Sequence, residues 1–245
     1  MILIIGTTQD DIIYYKNRMR VREEGKINKD IPYFIGKMAN KDVCLTFTGF
    51  SNISSGIVTS YMLAKFKPYI VIITGAASSL NSKAKQSDLF IAEKIYLGDV
   101  DLTSFNDELK FGQIKNLPPF YSSDDDYIKM IETINSKTEN RHLLRGPLIS
   151  TNTFYNDQKT ALKVLKDKFG NIESMTAFDT EAGGIATACN MYDVPWLLLK
   201  VVNYHIGDEL EFISSPRISI EAQPHIGYII EVLLEELIHS FGDFQ

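Results

Sequence analysis

Continuous apolar runs recur along the chain at Ile2 to Ile5, Tyr69 to Thr74 and Pro195 to Val202. Runs this short, bounded by glycine or proline, predict strands buried on both faces. Tyr33 to Met38 and Val43 to Thr48 predict an antiparallel pair turning at Ala39-Asn40-Lys41. Asp88 to Tyr96 and Leu143 to Thr151 add two more strands. Helices are expected in between. Gln9 to Met19 offers Ile12, Ile13 and Tyr15 as a buried face, and a second helix leaves the turn Thr48-Gly49-Phe50-Ser51-Asn52. Ser51 or Asn52 is its N-cap, and Pro68 stops it near Phe66. Tyr127 to Ile134, Thr160 to Phe169 and Ile220 to Phe241 are further helices, the last with Pro224 near its first turn. Arg18 to Lys29, Asp99 to Pro119 and Ile206 to Arg217 read as irregular loops. Strands and helices alternate without a repeat or a long linker. The expectation is a single domain over residues 1–245, three α/β/α layers around a central mixed, twisted sheet.

The most informative stretch is Thr176 to Asn190, TAFDTEAGGIATACN. A short apolar run, Met175 to Phe178, gives way to Asp179-Thr180-Glu181 and then to Ala182, Gly183, Gly184, Ala186 and Ala188. That is a buried strand passing into a helix with a thin face, which another backbone or a ligand can approach closely. Glu181 falls at the carboxyl end of a strand, where open α/β sheets place their ligands. An ionised carboxylate accepts two hydrogen bonds from a vicinal diol. It also suits the positive end of a helix dipole, so ligand clamp and helix start are both open readings.

Charge and composition narrow the classes. The net charge of −6 leaves no general basic footprint for nucleic acid. Cys44 and Cys189 both lie in apolar segments, which suggests buried thiols in a reducing compartment and no disulfide framework. The start, MILIIGTTQDD, has neither the basic region nor the length of a signal peptide, and no apolar run approaches membrane-spanning length. A cytoplasmic protein without membrane contact is expected. Asp124-Asp125-Asp126 resembles a metal site in composition only. Consecutive helical residues point in different directions, so the run reads as a helix cap and no metal or cofactor is expected.

Strand ends then carry Asp11, Phe50, Ala76, Glu181 and the pair Asn203-Tyr204, with Phe154-Tyr155 as an aromatic surface. Lys200 is a lone cation inside an apolar run and needs a carboxylate partner. Two carboxylates and an aromatic platform suit a sugar–base ligand. Hydrolysis of an N-glycosidic bond needs a base to orient water, a clamp on the ribose and a donor to the leaving base, around an oxocarbenium-like transition state. Asp11 is a candidate base, Glu181 a candidate clamp, and Asn203 or Tyr204 a candidate partner of the leaving group.

The chain also resembles the nucleoside phosphorylase superfamily, and within it most the methylthioadenosine/S-adenosylhomocysteine nucleosidases. IIGTTQDD resembles an opening strand with an IGAMEEE-type turn, and TGFSNISSG sits where that family has SGIGKVAA. TGAASSL resembles TGSAGGL, DVDLTSF resembles DADVTAF, STNTFYND resembles SGDAFIN, and FDTEAGGIA resembles VEMEATAIA. Six motifs in matching order are far more specific than any one. The resemblance implies that Asp11 activates water and Glu181 binds ribose. It places Lys200 on an arginine that holds the water and the carboxylates. Phe154 would stack on the base, Tyr155 would bond it through its backbone, and Phe50 and Thr180 would line the pocket. Phe105 matches an aromatic supplied by a neighbouring subunit, which implies a homodimer.

Five positions depart from that pattern. Tyr204 stands where the family has the aspartate that protonates the leaving purine, and Asn203 where it has serine. Asp11 is one methylene shorter than glutamate, Lys200 replaces arginine, and Ala76 lacks a serine hydroxyl. The expected activity is hydrolysis of a purine nucleoside, weak or with a shifted substrate. The alternatives are a phosphate-dependent purine or uridine phosphorylase and a non-catalytic nucleoside binder. TFYNDQ resembles uridine phosphorylases, whereas the acidic turn Gly6 to Asp11 disfavours bound phosphate.

Overall fold

The structure is a computed structural model and describes residues 1–138, 141–170 and 177–237. Met175, Thr176 and the stretch from 238 to Phe241, expected in a strand and a helix, lie outside the described residues. The first strand, β1 (Ile2–Gly6), sets the pattern for the core. Ile2 and Ile4 point into one buried cluster, Leu3 and Ile5 into the other, so both faces of the sheet are covered. The helices α1 (Gln9–Arg18), α3 (Asp125–Lys137) and α6 (Glu209–Glu236) cover the Ile2 face. Helices α2 (Asn52–Phe66) and α5 (Ala182–Met191) cover the Leu3 face. The expected three layers are present.

The remaining strands are β2 (Arg20–Lys26), β3 (Pro32–Met38), β4 (Lys41–Phe47), β5 (Ile70–Ile73), β6 (Ala76–Ser79), β7 (Leu89–Leu97), β8 (Tyr121–Ser122), β9 (Leu143–Ser150), β10 (Ala177–Asp179) and β11 (Trp196–His205). Their order is β2-β3-β4-β1-β5-β11-β6-β10-β9-β7-β8, in a mixed sheet. One further pairing closes part of it. β7 also pairs antiparallel with β11, Lys200 facing Phe90, so β11, β6, β10, β9 and β7 form a ring. β5 and β6 keep one register along β11, with Ile73 opposite Leu198 and Ala76 opposite Val201. Between them the chain bends at Gly75, whose φ of +129° only glycine adopts without strain.

Two segments expected as loops are regular. β2 is a charged edge strand paired antiparallel with β3. Its side chains are mostly exposed, so ladder hydrogen bonds hold it where burial does not, and its charges suit an edge. α6 begins at Glu209, well before Ile220, with Asp208 accepting from the Glu211 amide at 3.0 Å. Pro216 lies inside this helix and removes one amide donor. The Ser215 hydroxyl donates to the Phe212 carbonyl at 2.8 Å and supplies the missing bond. The segment expected over Thr160 to Phe169 is α4 (Gln158–Val164) followed by a π-helical turn, Leu165–Phe169. The acidic run caps as expected: Asp124 accepts from the Asp126 amide at 2.8 Å, and Asp125 meets Arg145 at 3.0 Å. Cys44 and Cys189 are buried free thiols, pushed up to about 12 by burial. Among the described residues, no helix is long and apolar enough to cross a membrane.

The thin face of α5 receives a backbone. A Cβ on Gly184 would meet the Asn52 carbonyl oxygen at 2.1 Å and the Gly56 nitrogen at 2.8 Å, so α2 and α5 touch main chain to main chain. Asn52 ties the junction together, its Oδ1 accepting from the Gly184 amide at 2.9 Å and the Ser150 hydroxyl at 2.8 Å. Gly184→Ala is therefore expected to destabilise the protein by about 1–3 kcal/mol through overpacking against rigid backbone. Thermal denaturation of the variant beside the parent tests this; an unchanged melting temperature refutes the close approach.

Candidate active site

The carboxyl ends of β1, β10 and β11 and the amino end of β6, which runs antiparallel to β10, open onto one cavity of about 480 Å³. Asp11 reaches it from the first turn of α1. Its Oδ2 accepts the Thr8 amide at 2.8 Å, the Thr7 amide at 3.1 Å and the Thr8 hydroxyl at 3.1 Å. This is a helix-start box, so Asp11 caps its own helix, yet the residue also lines the cavity. Oδ1 accepts from Gln223 Nε2 of α6 at 3.2 Å. Gly6 and Gly75 leave the room: a Cβ on Gly6 would meet Asp11 Cβ at 2.7 Å, and one on Gly75 would meet Oδ2 at 3.3 Å. Burial pushes the Asp11 carboxyl above its ordinary 3.8, and the Thr8 amide and the Lys200 charge only partly oppose this.

Glu181 sits at the start of α5 and is 2% exposed. Its Oε1 accepts from the Thr7 hydroxyl at 2.5 Å and from the Lys200 ammonium. Oε2 accepts the Thr180 amide at 3.2 Å and the Thr180 hydroxyl at 2.9 Å. Lys200 is fully buried on β11 and donates at 2.6 Å to Asp179 Oδ2 as well. Burial alone would push its ammonium down; Asp179 and Glu181 together outweigh that and hold it above the lysine range. Asp179 Oδ1 meanwhile accepts the Glu181 and Ala182 amides at 3.3 and 3.2 Å. Thr7 thus touches both cavity carboxylates, Asp11 through its amide and Glu181 through its hydroxyl.

An aromatic wall completes the cavity. The Tyr204 ring lies 6.3 Å from Phe154 and 5.4 Å from Phe212, with Phe154 and Phe212 at 5.8 Å. Burial pushes the Tyr204 hydroxyl up, and its hydrogen bond with Ser78 offsets only part of that. Tyr155 packs edge-on against Phe178 at 5.9 Å. Asn203 donates from Nδ2 to Ser219 Oγ at 3.2 Å. The Ser219 hydroxyl hydrogen is already given to the Ser215 carbonyl at 2.9 Å, so Ser219 accepts, and the Asn203 amide orientation is fixed. Its Oδ1 is left buried without a hydrogen-bond partner among the described residues.

Asp11, Phe50, Ala76, Phe154, Tyr155, Thr180, Glu181, Asn203 and Tyr204 all line this cavity, and Lys200 stands directly behind Glu181. Phe105 does not line it and is 70% exposed. Sequence reasoning missed Thr7, Ser78, Asp179, Phe212, Ser219 and Gln223. Asp179 was legible, because a buried lysine calls for carboxylates and Asp179 stands two residues from Glu181. Phe212 gave no signal, since its helix reads as a loop.

A family profile described as the phosphorylase superfamily matches residues 2–234. The chain belongs to this superfamily. Its curated relatives include a 5'-methylthioadenosine/S-adenosylhomocysteine nucleosidase of Bacillus thuringiensis subsp. konkukian (strain 97-27), 26% identical over 96% of this chain and 99% of that one. Among solved structures, the superfamily fold is shared with a nucleosidase of that name from Neisseria meningitidis in complex with methylthio-immucillin-A. The TM-score is 0.86 at 21% identity, over 96% of this chain and 98% of that one. Futalosine hydrolase of Helicobacter pylori gives a TM-score of 0.83 at 21% identity, over 96% and 97% of the two chains.

Replacing Lys200 by methionine in this superfamily chain leaves two buried carboxylates without their counter-charge, a loss expected to cost about 3–5 kcal/mol. The sign with pH follows from the uncompensated acids. Burial already holds the Asp179 carboxyl above its ordinary range and the Lys200 charge opposes this, so losing Lys200 raises it further; protonation then stabilises the variant and its deficit shrinks as pH falls through the carboxylate range. Denaturant unfolding of both proteins between neutral and mildly acid pH measures the gap; a gap that widens on acidification contradicts the buried triad.

Proposed function

We propose that the chain is a nucleosidase that hydrolyses the N-glycosidic bond of a purine nucleoside of the methylthioadenosine or S-adenosylhomocysteine type. The observation that carries this is one cavity lined by two buried carboxylates, Asp11 and Glu181, and an aromatic wall, with no arginine or lysine in its lining among the described residues. Asp11, Asp179 and Glu181 stand against the single cation Lys200, so the site carries excess negative charge. Such a field favours a developing oxocarbenium ion and disfavours a phosphate anion. Arg18, the arginine nearest in sequence to the acidic turn, is engaged by Glu231 of its own chain at 2.7 Å. Curated relatives named as nucleosidases support the hydrolytic class.

In this reading Asp11 takes a proton from water as the water oxygen bonds to C1′ of the ribose. A carboxyl raised by burial is a better base near neutral pH than an ordinary aspartate. Glu181 clamps the ribose hydroxyls, and Lys200 holds the Glu181 side chain in place. Phe154 stacks on the base beside Phe50, Ala76, Tyr155 and Thr180. The C1′–N bond breaks with its electron pair leaving on the base, next to Asn203 and Tyr204; the departing base takes a proton from solvent, and Asp11 releases the one it took from water. The products are free base and the ribose moiety. The whole chain acts as one domain, and the protein works in the cytoplasm as a homodimer. The exposed face of α2, with Ile53, Ile57 and Tyr61, supports the pairing, as does the exposed Phe105 that would reach the partner's cavity.

Turnover of methylthioadenosine is expected without phosphate, with no ribose 1-phosphate formed when phosphate is added. Chromatography of the products with and without phosphate checks this, and ribose 1-phosphate among them would overturn the hydrolytic assignment. Glu181→Gln belongs in the same assay and is expected to abolish turnover while the fold persists.

Tyr204 limits the rate. A buried tyrosine hydroxyl, raised further above its already high pKa, holds its proton too firmly to assist the leaving base. General acid catalysis contributes about 100- to 10,000-fold, and Asn203 recovers part of it by hydrogen bonding. Tyr204→Asp is therefore expected to raise kcat for adenine nucleosides by about 10-fold or more, with a smaller change in KM. Steady-state kinetics decides; no gain with ligand affinity preserved places the limitation at Ala76 or Lys200 instead.

A further inference from the structure

Gln223 is 2% exposed on α6, within a helix whose buried positions are otherwise nearly all apolar. Its Nε2 donates to Asp11 Oδ1 at 3.2 Å, while its Oε1 is buried with no hydrogen-bond partner among the described residues. A buried carboxamide satisfied at only one end is a poor device for stability, since an unpaired oxygen forfeits its hydration. Its one hydrogen bond goes to the carboxylate that faces the cavity. The two oxygens of Asp11 are also held differently. Oδ2 is fixed by Thr7 and Thr8 of its own turn, whereas the hydrogen bond at Oδ1 comes from a different layer element. An aspartate shorter by a methylene than a glutamate has less freedom to find its own position, so a donor reaching in from α6 fixes the second oxygen.

We infer that Gln223 is a positioning residue for the reaction, holding Asp11 Oδ1 in place and favouring its ionised form. The inference rests on the reading of Asp11 as the base. The titratable groups around Asp11 are Glu181 at the start of α5, Lys200 on β11, and Tyr15 and Asp10 on its own helix. α6 contributes the neutral Gln223. Glu181 disfavours a second negative charge and Lys200 favours it, the Thr8 amide and hydroxyl favour it from Asp11's own turn, and the Gln223 N–H is the uncharged donor at Oδ1. Removing it raises the Asp11 pKa, and the acid limb of activity, which needs ionised Asp11, moves to higher pH.

The test replaces Gln223 by methionine, which keeps the unbranched shape without a donor, and by asparagine, whose amide is too short to reach. Carbon-13 NMR of labelled aspartate carboxyls, assigned with Asp11→Asn, reports the Asp11 titration in the full chain. Both variants are expected to titrate about one pH unit higher than the parent. The acid limb of kcat/KM for methylthioadenosine should move by the same amount. At neutral pH kcat should fall by about 10-fold with KM changed by less than about 2-fold. If the methionine variant does not fold, the asparagine variant carries the comparison. An unchanged Asp11 titration in a folded variant overturns the inference. So does a shifted titration with an unmoved acid limb, which would make Gln223 a structural neighbour only. Absence of hydrolysis by the parent, with the titration shift still present, refutes Asp11 as a base and with it the catalytic role of Gln223, while the hydrogen bond itself stands.

Discussion

The buried ammonium of Lys200 is the constraint on which the rest of the site depends. A cation in the middle of an apolar strand survives only if carboxylates come to it, and here two do, from the end of β10 and the start of α5. Asp179 serves Lys200 with one oxygen and the first amides of α5 with the other. The strand, the helix start and the cavity wall are thereby locked in one charge cluster. β11 is held from both sides at this depth, by β6 and by β7, so Lys200 has little freedom to follow a carboxylate that moved away. Removing Lys200 leaves both acids uncompensated. Mispositioning β11 separates the cluster. Stability and site geometry are therefore one requirement.

The glycines after Glu181 serve this geometry indirectly. Their thin face seats α2 against α5, and Ser55 of α2 donates to the Glu181 carbonyl at 2.7 Å. The main chain of Glu181 is fixed from one side while its carboxylate is fixed from the other. Gly75 does the corresponding work beneath Asp11, where a bend without a side chain leaves space for the carboxylate and for Thr7. Close backbone approach, which a sequence can suggest without saying what approaches, here means helix on helix in one case and strand under carboxylate in the other.

Most of the frame was legible because burial writes itself into the apolar runs. β1, β5 and β11 alternate between two clusters and read unambiguously as central strands. The misses share a cause: elements held by something other than burial. β2 is an edge of charged residues that hydrogen bonds alone define. The first two turns of α6 carry a proline that reads as a breaker, and only Ser215 shows how the helix continues through it. Those turns supply Phe212, and Ser219 follows one turn later, so this part of the site was invisible from the chain; Gln223 lies in a stretch expected as a helix, but nothing in the sequence aims it at Asp11. The ring closed by β7 on β11 was equally hidden, because a second partner for a strand leaves no mark in its own pattern.

The ribose-clamp role proposed for Glu181 asks a carboxylate already fully engaged to hold a sugar. A carboxylate offers about four acceptor positions, and here Lys200, the Thr7 hydroxyl, the Thr180 amide and the Thr180 hydroxyl take them. Two of these donors are structural, the ammonium and the amide. The other two are threonine hydroxyls, which turn about a single bond at little cost. A ribose diol brings two hydroxyl donors of the same kind to the same place. Binding then exchanges hydroxyl for hydroxyl, and the displaced threonines can turn toward ribose oxygens as donors of their own. The Glu181 carboxylate, itself only 2% exposed, is never left bare, whether ligand is present or not. The two threonines thus keep the cavity charge satisfied between turnovers without competing strongly for it during them.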